Sequence, residues 1–161
     1  MSRTVVRYFL ILLAVLGIDQ LSKYLVVSSM ELYQVHEVIP AFFNLVYVTN
    51  KGAAFSMFAS IDSPLRHYFF VLVNAAAVIG LTIAALRMRQ HHPLYRVSFA
   101  LIAAGALGNL IDRLRYGAVI DFLDFYLGSY HWPAFNVADS AICVGVAILF
   151  LLNIIDMKKA K

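Results

Sequence analysis

Four long apolar stretches run through the chain, at residues 8–27, 67–86, 97–114 and 138–155. Each is close to the roughly 20 residues a helix needs to cross the hydrocarbon core of a bilayer. Backbone polar groups in lipid must be satisfied within the segment itself, so stretches of this kind are expected to be helices. With 161 residues, a mean hydropathy of +0.80 and only 14% charged residues, one membrane domain over 1–161 is expected, not a soluble globule. The fold class is therefore an all-α integral membrane protein with four transmembrane helices.

The charges divide by side. Four spans put both termini on one side, with Arg3, Arg7, Arg87, Arg89, Arg96, Lys158, Lys159 and Lys161 facing a single acid, Asp156. The opposite side carries Lys23, Lys51, Arg66, Arg113 and Arg115 with eight acids: Asp19, Glu31, Glu37, Asp62, Asp112, Asp121, Asp124 and Asp139. The positive-inside rule puts both termini in the cytoplasm and the acidic end outside, in the connections 28–65 and 115–137. A pI near 9.3 alone would allow nucleic-acid binding, but the bases form no stripe interleaved with aromatics, so no nucleic-acid partner is expected. Arg3 and Arg7 precede an apolar run as in a signal peptide. No small-residue cleavage site closes that run, and Asp19, Gln20 and Lys23 interrupt its far end, so it reads as a retained first span. The single cysteine, Cys143, lies in the fourth span and reads as a small packing residue.

Between the first two spans, residues 42–49 (FFNLVYVT) are rich in aromatic and β-branched types and lead into the turn signal Asn50-Lys51-Gly52. A small extramembrane β-sheet is expected there, with Phe55, Met57 and Phe58 dipping toward lipid. Residues 87–93 read as a short cytoplasmic turn with Pro93 opening the third span. The second outer connection carries Tyr116, Phe122, Phe125, Tyr126, Tyr130 and Trp132, an aromatic density suited to the headgroup level. In the third span, Ala100, Ala104 and Gly108 form a small-xxx-small ridge for close helix packing, and Gly105 can serve either packing or a site.

Carboxylates at a membrane boundary are expensive, and a cluster of them there is a candidate site. Serine or cysteine nucleophiles are poorly supported, because no histidine is patterned to activate one. His91-His92 lacks further ligands at zinc-site spacing, so no metal is expected. Asp121 stands among apolar neighbours in Val119-Ile120-Asp121-Phe122, and Asp139 stands at the mouth of the fourth span. Two carboxylates meeting at a dry boundary cannot both ionise cheaply and share a proton. One then activates water while the other donates to a carbonyl oxygen. Alone, Asn136 with Asp139 three residues later also reads as a helix N-cap with an acid in the first turn. Asp19 and Lys23 are spaced for an intrahelical ion pair, and Asn109, Asp112 and Arg113 form a polar cluster that plain helix–helix contact would also explain. A polytopic carrier or proton relay, and a non-catalytic scaffold, stay open on these grounds. The acids lie at one boundary and no internal repeat is visible, which disfavours a carrier.

Five motifs in order resemble the bacterial lipoprotein signal peptidases (type II signal peptidases). They are Asp19-Gln20-Leu21-Ser22-Lys23, Asn50-Lys51-Gly52-Ala53-Ala54-Phe55, Gly105 through Arg113, Val119-Ile120-Asp121-Phe122, and Phe135-Asn136-Val137-Ala138-Asp139. The resemblance implies an intramembrane aspartic endopeptidase of the inner membrane that removes signal peptides from diacylglyceryl-modified prolipoproteins, cutting before the lipidated cysteine. It implies Asp121 and Asp139 as the catalytic pair. Asn50, Gly52, Asn109, Arg113 and Asn136 would shape the site and bind substrate, with Asp19, Lys23 and Gly108 in support. It implies no cofactor, membrane lipid and prolipoprotein as partners, a monomer, and a site toward the periplasmic face.

Overall fold

The structure, a computed structural model, describes residues 3–52, 64–87 and 92–159. Expectations for Phe55, Met57 and Phe58, for Asp62, and for most of the turn at 87–93 lie outside those residues. Four helices carry the apolar stretches: α1 (Arg3–Ser29), α2 (Pro64–Arg87), α3 (Pro93–Tyr116) and α4 (Val137–Lys159). All four are long and apolar enough to cross a membrane. The helix α3 is the central one. Half of its span is buried by protein, while α1, α2 and α4 turn most of their surface outward, where lipid would lie.

Small residues explain why α3 is central. Its ridge faces α1: Ala100 and Ala104 are fully buried with Tyr8 and Leu12. A Cβ added to Gly108 would collide with the Asp19 carboxylate. On the neighbouring face, a Cβ on Gly105 would run into the Ala138 carbonyl. A Cβ on Gly145 would approach Ile102 Cγ1 to 2.7 Å and the Ser98 carbonyl to 2.8 Å. Gly105 thus serves packing and site together, because it lets the first turn of α4 sit against α3. The helices α2 and α4 both pack along α3 yet hardly touch each other, which leaves a cleft between them.

A sheet closes the outer end. Strands β1 (Val35–Ile39) and β2 (Phe43–Asn50) come from the first connection, at the place expected for a small sheet. The second connection adds β3 (Val119–Leu127) and the short β4 (Tyr130–His131), giving the antiparallel order β1-β2-β3-β4. The aromatic-rich second connection is thus partly strand. Gly117 ends α3 with a left-handed φ of 73°, a conformation a glycine adopts without the Cβ penalty, and turns the chain into β3. Pairing of β2 with β3 sets Asn50 opposite Val119 and Val48 opposite Asp121, joining the two outer connections beside the helix ends.

Candidate active site

Asp121 enters on β3 and Asp139 on the first turn of α4, and both line a single cavity of about 530 Å³. Alternation along a strand sends every second side chain to the same face, and Val119 and Asp121 are the β3 residues that face this space. Asn50, Asn109 and Arg113 line it too. Its remaining walls are largely apolar, with Phe70 from α2, Trp132 and Phe135 from the second connection, and Ile142 from α4.

One amide holds both acids. The fully buried Asn136 donates from Nδ2 to Asp121 Oδ1 at 2.7 Å, and its Oδ1 accepts the backbone N–H of Asp139 at 2.9 Å. Asn136 is therefore the N-cap of α4 and also a bridge that fixes the two aspartates relative to each other. A second amide, from α3, ties Asp139 to Lys23: Asn109 Nδ2 donates to Asp139 Oδ1 at 2.8 Å, while its Oδ1 accepts from Lys23 Nζ at 3.1 Å. The oxygen being engaged by an ammonium, the NH2 group must face Asp139.

Lys23 is buried and fully satisfied. Besides Asn109 it meets Asp19 at 2.9 Å and Asp112 at 2.7 Å, an acceptor for each ammonium proton. The two acids hold backbone in turn. Asp19 Oδ1 accepts the Ala138 N–H at 2.9 Å, fixing the start of α4, and Asp112 Oδ2 accepts the Ile120 N–H at 3.3 Å, fixing β3 beside Asp121. Gln20 Nε2 adds bonds to Asp112 and to the Gly108 carbonyl. Asp112 thus does more than glue helices, since it anchors the strand that carries Asp121. Its position in a motif was visible in the sequence, but its bond to β3 depends on a strand the sequence did not reveal. Arg113 donates from Nη2 to the Gly52 carbonyl at 2.9 Å, with its guanidinium 5.1 Å from the Phe70 ring centre, so the buried Gly52 reaches the site through its backbone.

Every site residue expected from the sequence is thus in or directly beneath one cavity. Burial pushes the Asp121 carboxyl up to about 7, and the negative charge of Asp139 adds to the rise. Hydrogen bonds from Asn50 and Asn136 and the charge of Lys23 oppose it. Asp139 lies instead in the first turn of α4, where the helix dipole favours negative charge. Among the described residues, no group of three or more His, Cys, Asp or Glu is placed to hold a metal ion.

A family model described as signal peptidase (SPase) II matches residues 11–155. The chain belongs to the signal peptidase II family. A lipoprotein signal peptidase of Geobacter metallireducens is 51% identical over 154 residues, which is 95% of this chain and 94% of that protein. One from Desulforapulum autotrophicum is 44% identical over 157 residues, 98% of this chain and 96% of the relative. A solved bacterial membrane enzyme, determined by the in meso method at 2.3 Å resolution, matches with a TM-score of 0.85 at 34% identity, covering 96% of this chain and 92% of its own. The protein is accordingly an aspartic endopeptidase and a multi-pass protein of the bacterial inner membrane, as its motifs implied.

Proposed function

We propose that the protein removes the signal peptide from diacylglyceryl-modified prolipoproteins by hydrolysing the bond before the lipidated cysteine, with Asp121 and Asp139 as the catalytic pair. The observation that carries this is the meeting of two carboxylates from separate elements in one cavity, bridged by the two ends of the Asn136 amide. At rest the shared proton is on Asp121, whose surroundings favour the neutral acid, and Asp139 is the base.

The chemistry follows from that division. Water held between the acids loses a proton to the Asp139 carboxylate as its oxygen attacks the scissile carbonyl carbon, and Asp121 gives its proton to the carbonyl oxygen. The resulting gem-diol collapses. Asp139 returns its proton to the departing amide nitrogen as the C–N bond breaks, and one diol hydroxyl re-protonates Asp121. Proton transfers of this kind contribute about 10²–10⁴-fold each. Asn109 and Asn136 keep the carboxyls in place, and Arg113 ties the Asn50–Gly52 turn over the cavity.

Both termini are cytoplasmic and the catalytic end faces the periplasm, by the distribution of lysine and arginine. Substrate enters from lipid through the cleft between α2 and α4, so that its acyl chains stay in the outer leaflet. One chain supplies both aspartates and the amides that hold them, so a monomer suffices for the reaction. A carrier would need a polar route onward from the acids. Below them come the fully buried Ala100, Ala103 and Ala104, and beyond these the hydroxyls of Ser98, Tyr8 and Thr82 are all hydrogen-bonded within the protein. The test is incubation of purified protein with a diacylglyceryl-modified precursor and its unlipidated twin, following peptide release. Release from the modified precursor alone is expected; no release, or equal release from both, would refute the substrate assignment.

A further inference from the structure

We infer that Asn74 is a substrate-binding residue, a hydrogen-bonding subsite for the peptide main chain across the cleft from Asp139; this rests on the peptidase reading above. The helix α2 is almost wholly apolar between Tyr68 and Arg87, where Asn74 and Thr82 are the hydrogen-bonding side chains. Thr82 is engaged: its hydroxyl lies 2.8 Å from the Tyr8 hydroxyl. Asn74 has no hydrogen bond among the described residues, and its half-buried side chain lines the catalytic cavity. Asn153 on α4 shows what an amide does when it has only its own helix to turn to, for its Nδ2 bonds the Leu149 carbonyl at 2.8 Å. Asn74 makes no such bond. An amide kept open at membrane depth is costly unless something arrives to pair with it.

Its level in the membrane is set by the antiparallel run of α2 against α3. Phe70 lies at Arg113, so one turn further along α2 and one turn back along α3 bring Asn74 to the level of Asn109, which holds Asp139. Because α2 and α4 hardly touch, the space between Asn74 and Asp139 is open. A peptide must be extended there to present its scissile bond, and its main-chain groups then lack helical partners. An asparagine side chain offers one acceptor and a two-proton donor, a match to the N–H and C=O of a peptide unit. The main chain on the signal-peptide side of the scissile bond runs inward past this level.

The test is a cycle of enzyme and substrate changes. Wild type and Asn74→Leu are each given the diacylglyceryl-modified precursor, then the same precursor with an ester in place of the amide next to the scissile bond on the signal-peptide side. The ester lacks the N–H and has a weaker carbonyl acceptor. With the all-amide precursor, Asn74→Leu should lower kcat/KM about tenfold, the size of a lost bond that leaves a partner unpaired. With the ester, wild type should fall by a similar factor and the leucine variant should add less than about twofold to that loss. Asn74→Ala serves in the same cycle if the leucine variant does not fold. Wild-type rates in the variant, or an equal loss on both substrates, would overturn the inference while leaving the peptidase reading intact. Failure of the wild type to cleave the all-amide precursor would sink both.

Discussion

Asp121 and Asp139 have the same side chain and different surroundings, and the proposed division of labour rests on the difference. Asp121 is enclosed on a strand among apolar residues, where burial pushes its carboxyl up to about 7, whereas Asp139 sits at the positive end of a helix. Raising the pH through about 7 removes the proton that Asp121 must donate, so kcat/KM should fall on the alkaline side of neutrality; a rate that still climbs from pH 7 to 9 would speak against Asp121 as the acid. The same shift has a consequence for stability. A carboxyl whose folded pKa lies above its unfolded value of 3.8 contributes stability that is complete below that value and is lost as pH rises through about 7. Asp121→Asn should therefore raise the unfolding temperature relative to wild type at pH 8 and much less at pH 4, as read by thermal unfolding in detergent. Acids, bases and their motif order were legible in the sequence because residue type and position are what motifs record. The double use of Asn136 was half legible: the cap follows from its spacing to Asp139, but its bond to Asp121 depends on where β3 comes to rest.

At the scale of elements, the site is held by the seams α1–α3 and α3–α4 and by the strand pair β2–β3. Lys23 is the tie among the helices. Its removal in Lys23→Met would leave Asp19 and Asp112 buried without a counter-charge, and breaking a buried pair in this way costs about 3–5 kcal/mol. Denaturant unfolding should show that loss, together with a fall in activity as Asn109 and α4 shift; a variant of wild-type stability would mean that the two acids are paired or neutral by other means. Gly108→Val places side-chain atoms where the Asp19 carboxylate lies, so activity should fall with stability, whereas Gly80→Ala, with open space around its Cα, should change neither. The strand β3 is the element the sequence concealed. Its alternation is masked because its first four residues are buried on both faces, and its aromatics suit the headgroup level equally well. Its partner β2 lies 69 to 82 residues away along the chain, and no local pattern reports a pairing at that distance.

For the whole molecule, the proposed orientation rests on charge, and the cleft between α2 and α4 follows from packing. The proposed orientation, with cytoplasmic termini and a periplasmic sheet, predicts a simple labelling pattern in intact cells whose outer membrane has been permeabilised, with Cys143 first replaced by alanine. A cysteine at the exposed Glu31 should react with a membrane-impermeant maleimide, and one at Met157 should react only after the inner membrane is opened. The reverse pattern would turn the active site toward the cytoplasm. The four spans were legible because bilayer thickness acts on single segments. The cleft between α2 and α4 was not, since it depends on both helices choosing α3 over each other.

The most direct measurement is kcat/KM for release of the signal peptide from a diacylglyceryl-modified precursor by wild type, Asp121→Asn and Asp139→Asn in the same micelles, alongside precursor affinity. Each variant should lose about 10³-fold or more in rate while binding precursor as tightly as wild type. A variant that cleaves within about tenfold of wild type would take its aspartate out of the chemistry and contradict hydrolysis by a shared-proton pair.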